Sequence, residues 1–151
     1  MTASEQPSLK SLTAIPKWAV IAFTVFSLIG FLDATFLTIE HYRGVVPPCS
    51  VLKGCEQVTT SQYATVGPVP LALLGAIFYG VLFFLTIAYF DTKKEMILRL
   101  AAGLTAIGFL ASLYFVYLQF FVIKAVCLYC MISAASSFLL FFVSIFILRK
   151  R

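Results

Sequence analysis

Four cysteines carry the chemistry that this sequence could perform. Cys49 and Cys55 have five residues between them, and Cys127 and Cys130 form a Cys-x-x-Cys motif. Cysteine thiolates exchange disulfide bonds and also bind zinc, and an even number of cysteines in a non-cytoplasmic compartment suggests two pairs. Three interpretations follow from the residue types alone: redox exchange, two structural disulfides, or a zinc site with four cysteine ligands.

The Cys-x-x-Cys motif favours redox exchange. Residues three apart share one face of a helix, and a cysteine at a helix N-terminus has a lowered pKa because unpaired N–H groups stabilise its thiolate. We therefore expect Cys127 to be a low-pKa thiol and the more exposed member of the pair, with Lys124 as a nearby cation. Cys130, one turn deeper, should be within reach of a lipid-soluble oxidant. A disulfide between the two would close almost no chain and would be a poor structural crosslink.

The other pair lies in a polar segment of different character. A Pro-Pro dipeptide precedes Cys49, and Gly54 precedes Cys55. These residues predict an exposed loop that a protein thiol can attack and that can move toward the rest of the molecule. Residues 58–63 could form a short helix on the membrane surface.

The elements that must position these cysteines are membrane helices. Of the 151 residues, 62% are apolar and only 11% are charged, which is too apolar for a soluble core of this length. A spanning helix needs about 20 apolar residues. Four stretches meet this requirement, at about residues 18–39, 70–90, 97–123 and 126–148. The predicted fold is all-α, an integral membrane four-helix bundle whose last two helices turn near Lys124.

Basic residues set the predicted orientation, because cytoplasmic loops carry more Lys and Arg than loops on the other side. One side holds Lys10, Lys17, Lys93, Lys94, Arg99, Arg149, Lys150 and Arg151, and the other holds Arg43, Lys53 and Lys124. Both termini are therefore expected in the cytoplasm, and the long loop between helices one and two, with all four cysteines, on the extracytoplasmic side. The net charge of +5 then reflects orientation in a cell (inner) membrane rather than binding of nucleic acid. Residues 1–16 are expected to form a disordered cytoplasmic tail and residues 17–151 one multi-pass domain.

A few other polar residues carry weaker signals. Asp33 lies inside the first apolar stretch, where an ionisable group is a functional candidate. It could relay protons, or it could pair with a donor near the membrane interface. His41 is expected to be solvated, and the tyrosines at positions 114, 117 and 129 are expected at the outer interface, where aromatic residues concentrate, or in the lining of a ligand pocket.

About residues 17–148 resemble bacterial vitamin K epoxide reductase homologues that lack a fused thioredoxin domain. The resemblance rests on Cys49-x5-Cys55, Val58, Ser61, Gly67-Pro68-Val69-Pro70-Leu71, Gly75 and Cys127-Leu128-Tyr129-Cys130. It implies a four-helix bundle around a quinone of the ubiquinone, menaquinone or phylloquinone type. In such a bundle Cys127 and Cys130 would be the active-site pair and Cys49 and Cys55 the shuttle pair.

The resemblance also implies roles for Ser61 and Cys130. Ser61 would lie on the surface helix beside the active site, where its hydroxyl could bond a sulfur or a quinone oxygen; the alternative is that it caps the N-terminus of that helix. Cys130 would be the sulfur next to the quinone.

The implied function is that of a membrane thiol-disulfide oxidoreductase that supports disulfide bond formation. It would reoxidise a DsbA-like thioredoxin-fold partner and pass electrons through both cysteine pairs to membrane quinone. Because the sequence stops at Arg151, the partner is expected to be a separate protein. Two alternatives remain: a quinone or quinone-epoxide reductase, and a non-enzymatic membrane protein with structural disulfides or a four-cysteine zinc site.

Overall fold

The computed structural model describes residues 15–51 and 53–150. Most of the predicted tail at residues 1–16 therefore lies outside the described residues. Within the described part, four helices are long and apolar enough to cross a membrane. They confirm the predicted four-helix membrane bundle.

The described residues form five α-helices and one small hairpin. Helix α1 spans Lys17–Arg43, α2 spans Cys55–Thr59, α3 spans Leu71–Thr92, α4 spans Glu95–Tyr117 and α5 spans Leu128–Arg149. A π-helical segment, Leu118–Ile123, continues α4. In the loop that joins α1 to α3 (residues 44–70), α2 is followed by a two-stranded antiparallel hairpin of β1 (Thr65–Val66) and β2 (Val69–Pro70).

The four long helices form a closed ring in which α1 packs on α3 and α5, and α4 packs on the same two helices. Small residues allow the close approach: Gly30 of α1 lies against the ring of Tyr79, and Gly108 of α4 lies against Phe78. The outward faces carry large apolar side chains such as Leu32, which is 58% exposed. An apolar exterior over small interior residues is typical of helix packing in lipid.

The described residues contain two packed clusters. The larger one joins all four long helices and includes Phe23, Leu82, Leu98 and Leu140, each fully buried. The smaller one lies at the loop end and contains the cysteines. The loop end is therefore the part of the fold that positions the reactive groups.

The backbone conformation of Lys124 forms the turn before α5. Lys124 adopts a left-handed conformation with φ of 55° and ends the π-helical segment. The turn predicted near Lys124 is present there. The widened π-helical turn itself was not predicted, because the apolar run through residues 118–123 has no signal that distinguishes a π-helix from an α-helix.

The short helix of the α1–α3 loop differs from the sequence expectation. It spans Cys55–Thr59 instead of residues 58–63, and residues 60–64 form turns and bends. Cys55 is thus the first residue of α2 and is buried, in contrast to the exposed pair that the sequence predicts, whereas most other loop residues are exposed or half-buried.

Candidate functional site

All four cysteines lie in one packed cluster at the loop end of the bundle. Cys49 and Cys55 form a disulfide with a Cα–Cα distance of 6.1 Å, and Cys127 and Cys130 are free thiols. Cys55 and Cys127 are both buried in this cluster, and Cys49 and Cys130 pack against it. Two pairs that are 72 or more residues apart in sequence therefore meet in space.

The Cys-x-x-Cys motif is placed by the start of α5. Cys127 is the N-cap residue, with φ of −95° and ψ of 124°, and Cys130 lies in the first turn. The backbone N–H of Cys127 donates a hydrogen bond to the Oε1 atom of Gln119, at 2.9 Å. As the N-cap residue, Cys127 lies next to the N–H groups of the second and third helical residues, Tyr129 and Cys130, although its side chain makes no capping hydrogen bond to them.

This geometry lowers the pKa of the Cys127 thiol to about 7. The largest cause is a hydrogen bond with the Cys130 side chain; burial acts in the opposite direction, and the N–H groups of Cys130 and Tyr129 lower the pKa further. The prediction of a low-pKa thiol at the helix N-terminus is therefore supported. These groups, rather than the Lys124 ammonium, are its main causes.

The predicted order of exposure within the motif is wrong. Cys127 is completely buried, whereas Cys130 is only half-buried. The reason is that the α1–α3 loop covers the start of α5, so that Cys127 packs with Cys55 and Val58. Cys127 is therefore next to the loop pair, and Cys130 is the member that a small molecule can approach.

Two contacts hold the loop against the start of α5. The Tyr129 hydroxyl donates a hydrogen bond to the carbonyl oxygen of Pro48, at 3.2 Å. Gly54 lies so close to Val126 that a Cβ atom added at Gly54 would be 2.5 Å from the Val126 nitrogen. Each contact joins a neighbour of a loop cysteine to a neighbour of a motif cysteine, so the docking fixes the two pairs relative to each other.

A cavity of about 800 Å³ lies between the bundle and the loop. Its walls come from all four long helices and from residues 58–65 of the loop, and most of the lining side chains are apolar. Among the described residues, Cys130 is the one cysteine that lines it. A cavity of this size is in the range that holds a cofactor or a drug-sized ligand.

Ser61 lines this cavity but does not cap a helix N-terminus. It follows the C-terminal end of α2, and its hydroxyl donates to the carbonyl oxygen of Val58 at 2.8 Å. The N-cap interpretation is therefore wrong, because α2 begins six residues before Ser61. Its oxygen can still accept a hydrogen bond from a group in the cavity.

Three further polar side chains that line the cavity are buried. The Tyr79 hydroxyl donates to the carbonyl oxygen of Ser133 at 2.6 Å. The Ser137 hydroxyl is buried and has no hydrogen-bond partner within the described part of the chain. The third is Gln119, which is 3% exposed. Sequence reasoning did not select Tyr79 or Gln119, although Gln119 is the one side-chain amide in the third apolar run.

The remaining candidates occupy different surroundings. Asp33 is half-buried in α1, and its Oδ2 atom has no hydrogen-bond partner among the residues that the structure describes, so the predicted pairing with a donor is not seen for that oxygen. His41 is exposed at the rim of the cavity. Tyr114 and Tyr117 are more than half exposed on the outside of the bundle, whereas Tyr129 contacts the loop.

Fold and site together define a multi-pass membrane helix bundle in which two cysteine pairs meet beside an apolar cavity. Residues 21–145 match the vitamin K epoxide reductase family. The chain belongs to this family, which confirms the resemblance found in the sequence.

One relative is the thiol-disulfide oxidoreductase LTO1 of Arabidopsis thaliana. It is 34% identical over an alignment of 122 residues that covers 76% of this chain and 32% of that protein. The chain thus spans about a third of the length of this relative.

Proposed function

We propose that this protein is a membrane thiol-disulfide oxidoreductase that takes two electrons from a thioredoxin-fold partner and delivers them to a membrane quinone. The observation that carries the proposal is the order of the sulfurs. The loop disulfide packs against buried Cys127, and Cys130 lines the apolar cavity. The name of the relative LTO1 supports the same class of reaction.

The chemistry consists of two thiol–disulfide exchanges. A thiolate of the partner attacks the Cys49–Cys55 disulfide and forms a mixed disulfide, which the partner's second thiol resolves. The partner leaves oxidised, and the loop pair is reduced. A loop thiolate then attacks the Cys127–Cys130 disulfide, which reforms the loop disulfide and leaves two thiols on α5. The structure has this last arrangement, with the loop pair oxidised and the motif pair reduced.

The cavity fits a quinone. Its apolar walls suit a hydrophobic ring, and the unpartnered Ser137 hydroxyl is a donor that a quinone carbonyl oxygen would satisfy. Tyr79 and Ser61 supply further polar atoms on the wall. A bound quinone would accept the two electrons and two protons that return Cys127 and Cys130 to the disulfide.

The proposed site of action is the inner membrane of a cell, with both termini in the cytoplasm and the α1–α3 loop outside it. The distribution of Lys and Arg between the two ends of the bundle supports this orientation. An extracytoplasmic loop would meet partners in a compartment where disulfides persist.

Purified protein tests the proposal directly. It is mixed with a reduced DsbA-like protein and a soluble quinone, and quinone absorbance and partner thiols are followed together. We expect one quinone to be reduced for each partner disulfide formed. Quinone reduction no faster than in the protein-free mixture would contradict the proposed function.

Ser137→Ala tests the fit of the cavity. Because the Ser137 hydroxyl lacks a partner within the described part of the protein, its removal should leave the melting temperature unchanged or slightly raised. Loss of one hydrogen bond should raise the KM for quinone about three- to tenfold. The matched control is Ser144→Ala in the same helix, since the Ser144 hydroxyl is bonded to the Leu140 carbonyl. An unchanged KM in Ser137→Ala would remove Ser137 from the quinone site.

Gly54→Ala tests whether loop docking sets the internal exchange. The added methyl group would collide with the Val126 backbone, so the loop must shift away from Cys127. We expect quinone reduction by the protein partner to slow about 10- to 100-fold, the usual effect of misplacing reacting groups by about 1 Å. Alkylation of Cys127 should become faster at the same time. Gly103→Ala is the control, because a Cβ there meets no other atom within 4 Å. Equal rates in the two variants would contradict the role of docking.

The alternative activity is reduction of a quinone epoxide, which the description of the matched family favours. The same cavity and the same thiol pair would serve both substrates. Supplying dithiothreitol with either a quinone or its epoxide, and comparing kcat/KM, decides between them. The zinc alternative requires four thiolates, whereas two of the four sulfurs are joined in a disulfide.

A further inference from the structure

Gln119 occupies an unusual position in the fold. It lies in the π-helical segment Leu118–Ile123 and is almost completely buried. Its backbone carbonyl accepts a hydrogen bond from the N–H of Ala125 at 3.1 Å, and its side-chain oxygen accepts the N–H of Cys127 at 2.9 Å. A π-helical turn inserted in an α-helix is often found at functional sites. Here it brings Gln119 into contact with Ala125 and Cys127, which belong to the connection that leads to α5.

The side-chain contact controls how Cys127 presents its sulfur. An N-cap residue needs an extended backbone to direct its side chain at the first turn of the helix, and Cys127 has this conformation. Its N–H precedes the helix and has no acceptor within α5, so the Gln119 oxygen satisfies it. Without this acceptor a buried N–H would be left unpaired, and the backbone would move to satisfy it.

The nitrogen atom of the same side-chain amide, Nε2, is available to a group in the cavity. The N–H of Cys127 requires an oxygen acceptor, which assigns Oε1 to that contact and leaves the two Nε2 protons free. Nε2 has no hydrogen bond among the described residues, and Gln119 lines the cavity together with Cys130. A donor of this kind suits the carbonyl oxygen of a flat conjugated ring.

We propose that Gln119 is a positioning residue that links Cys127 to the ligand in the cavity. Its oxygen fixes the backbone of Cys127, and its nitrogen donates a hydrogen bond to a carbonyl oxygen of the quinone. The first half depends only on the protein, whereas the second half rests on the proposed function. Through Gln119, hydrogen bonds then join Cys127, the thiol that receives electrons from the loop pair, to the quinone.

Two substitutions separate the two ends of the amide. Gln119→Leu removes both the acceptor and the donor, whereas Gln119→Glu, assayed at a pH at which its carboxyl group is ionised, keeps an oxygen for the Cys127 N–H and loses the donor. Phe121→Leu in the same π-helical segment is the control, because Phe121 is 68% exposed on the outside. If Gln119→Leu does not fold, the comparison of Gln119→Glu with the wild type still tests the donor.

The contact between the Gln119 oxygen and the Cys127 N–H is tested without quinone. Hydrogen exchange at the Cys127 amide is followed by NMR on cysteine-labelled protein, with Cys127→Ala used to assign the signal. We expect exchange to become about tenfold faster or more in Gln119→Leu and to stay slow in Gln119→Glu. Ultraviolet absorbance of the thiolate, measured with Cys49 and Cys55 replaced by alanine, should also change. In Gln119→Leu the fraction of Cys127 thiolate at neutral pH should fall about three- to tenfold.

The ligand half is measured as the KM for quinone with dithiothreitol as the reductant. Both Gln119→Leu and Gln119→Glu should raise it about three- to tenfold, and Phe121→Leu should not. Unchanged amide exchange and titration in Gln119→Leu would overturn the positioning role, and an unchanged KM in Gln119→Glu would overturn the donor role. If the wild type reduces no quinone while Gln119→Leu still loses amide protection, the proposed function fails and the positioning of Cys127 stands.

Discussion

Cys130→Ala is expected to reduce quinone turnover to the rate of the protein-free mixture, a loss of roughly a thousandfold or more. Cys130 is the cysteine that lines the cavity in the described structure, and Cys127 is completely buried behind it. Without Cys130, electrons that reach Cys127 have no sulfur next to the acceptor, and the motif disulfide cannot form. The loss should be the same whether the reductant is a protein or dithiothreitol. The measurement is the decrease in quinone absorbance.

A control substitution and a stability measurement show whether the loss of turnover is caused by the missing Cys130 thiol. Ile132→Ala removes a partly exposed side chain close to the motif and should retain activity. The melting temperature of Cys130→Ala should stay close to that of the wild type, because a thiol with no disulfide partner in the structure is lost. Full quinone turnover by folded Cys130→Ala would remove Cys130 from the reaction.

The bundle could be predicted from the sequence because its determinants are local. Each spanning helix is an apolar run of the required length, and Asp33 is too isolated to break the first one. The low pKa of Cys127 was also predictable, since it follows from three residues of one helical turn. The family relation followed from the spacing of the cysteines.

The exposure of the motif cysteines could not be predicted in the same way. It depends on the contact of Gly54 with Val126, two residues that are 72 positions apart, and no local pattern indicates such a contact. The contact between the Gln119 side chain and the Cys127 N–H starts from the π-helical segment, and the hydrophobic pattern does not distinguish this segment from an α-helix. Ser61 lies after α2, rather than within the helix predicted over residues 58–63, because α2 spans Cys55–Thr59.

Because Cys127 is buried, we expect a protein reductant and a small dithiol to react at different disulfides. In the proposed reaction a folded partner protein would use the loop pair, because it is too large to reach a fully buried sulfur. A small dithiol can attack the motif disulfide at half-buried Cys130 in the cavity. The loop cysteines should therefore be needed for one reductant and dispensable for the other.

Replacing both Cys49 and Cys55 with alanine is expected to abolish quinone reduction by the thioredoxin-fold partner and to preserve reduction by dithiothreitol. The partner's thiolate would have no disulfide to attack within its reach, and thiol–disulfide exchange requires direct contact of the sulfurs. The rate of quinone reduction with the protein partner should fall about 100-fold or more. Without the loop cysteines, the partner would have to react directly with the motif disulfide, which loses the advantage of a loop pair held next to Cys127. Quinone absorbance is followed with each reductant, and Ser50→Ala, an exposed neighbour of Cys49, is the control. Equal loss with both reductants would mean that the loop disulfide maintains the cavity instead of carrying electrons, since a purely structural crosslink cannot distinguish a protein thiol from a small one.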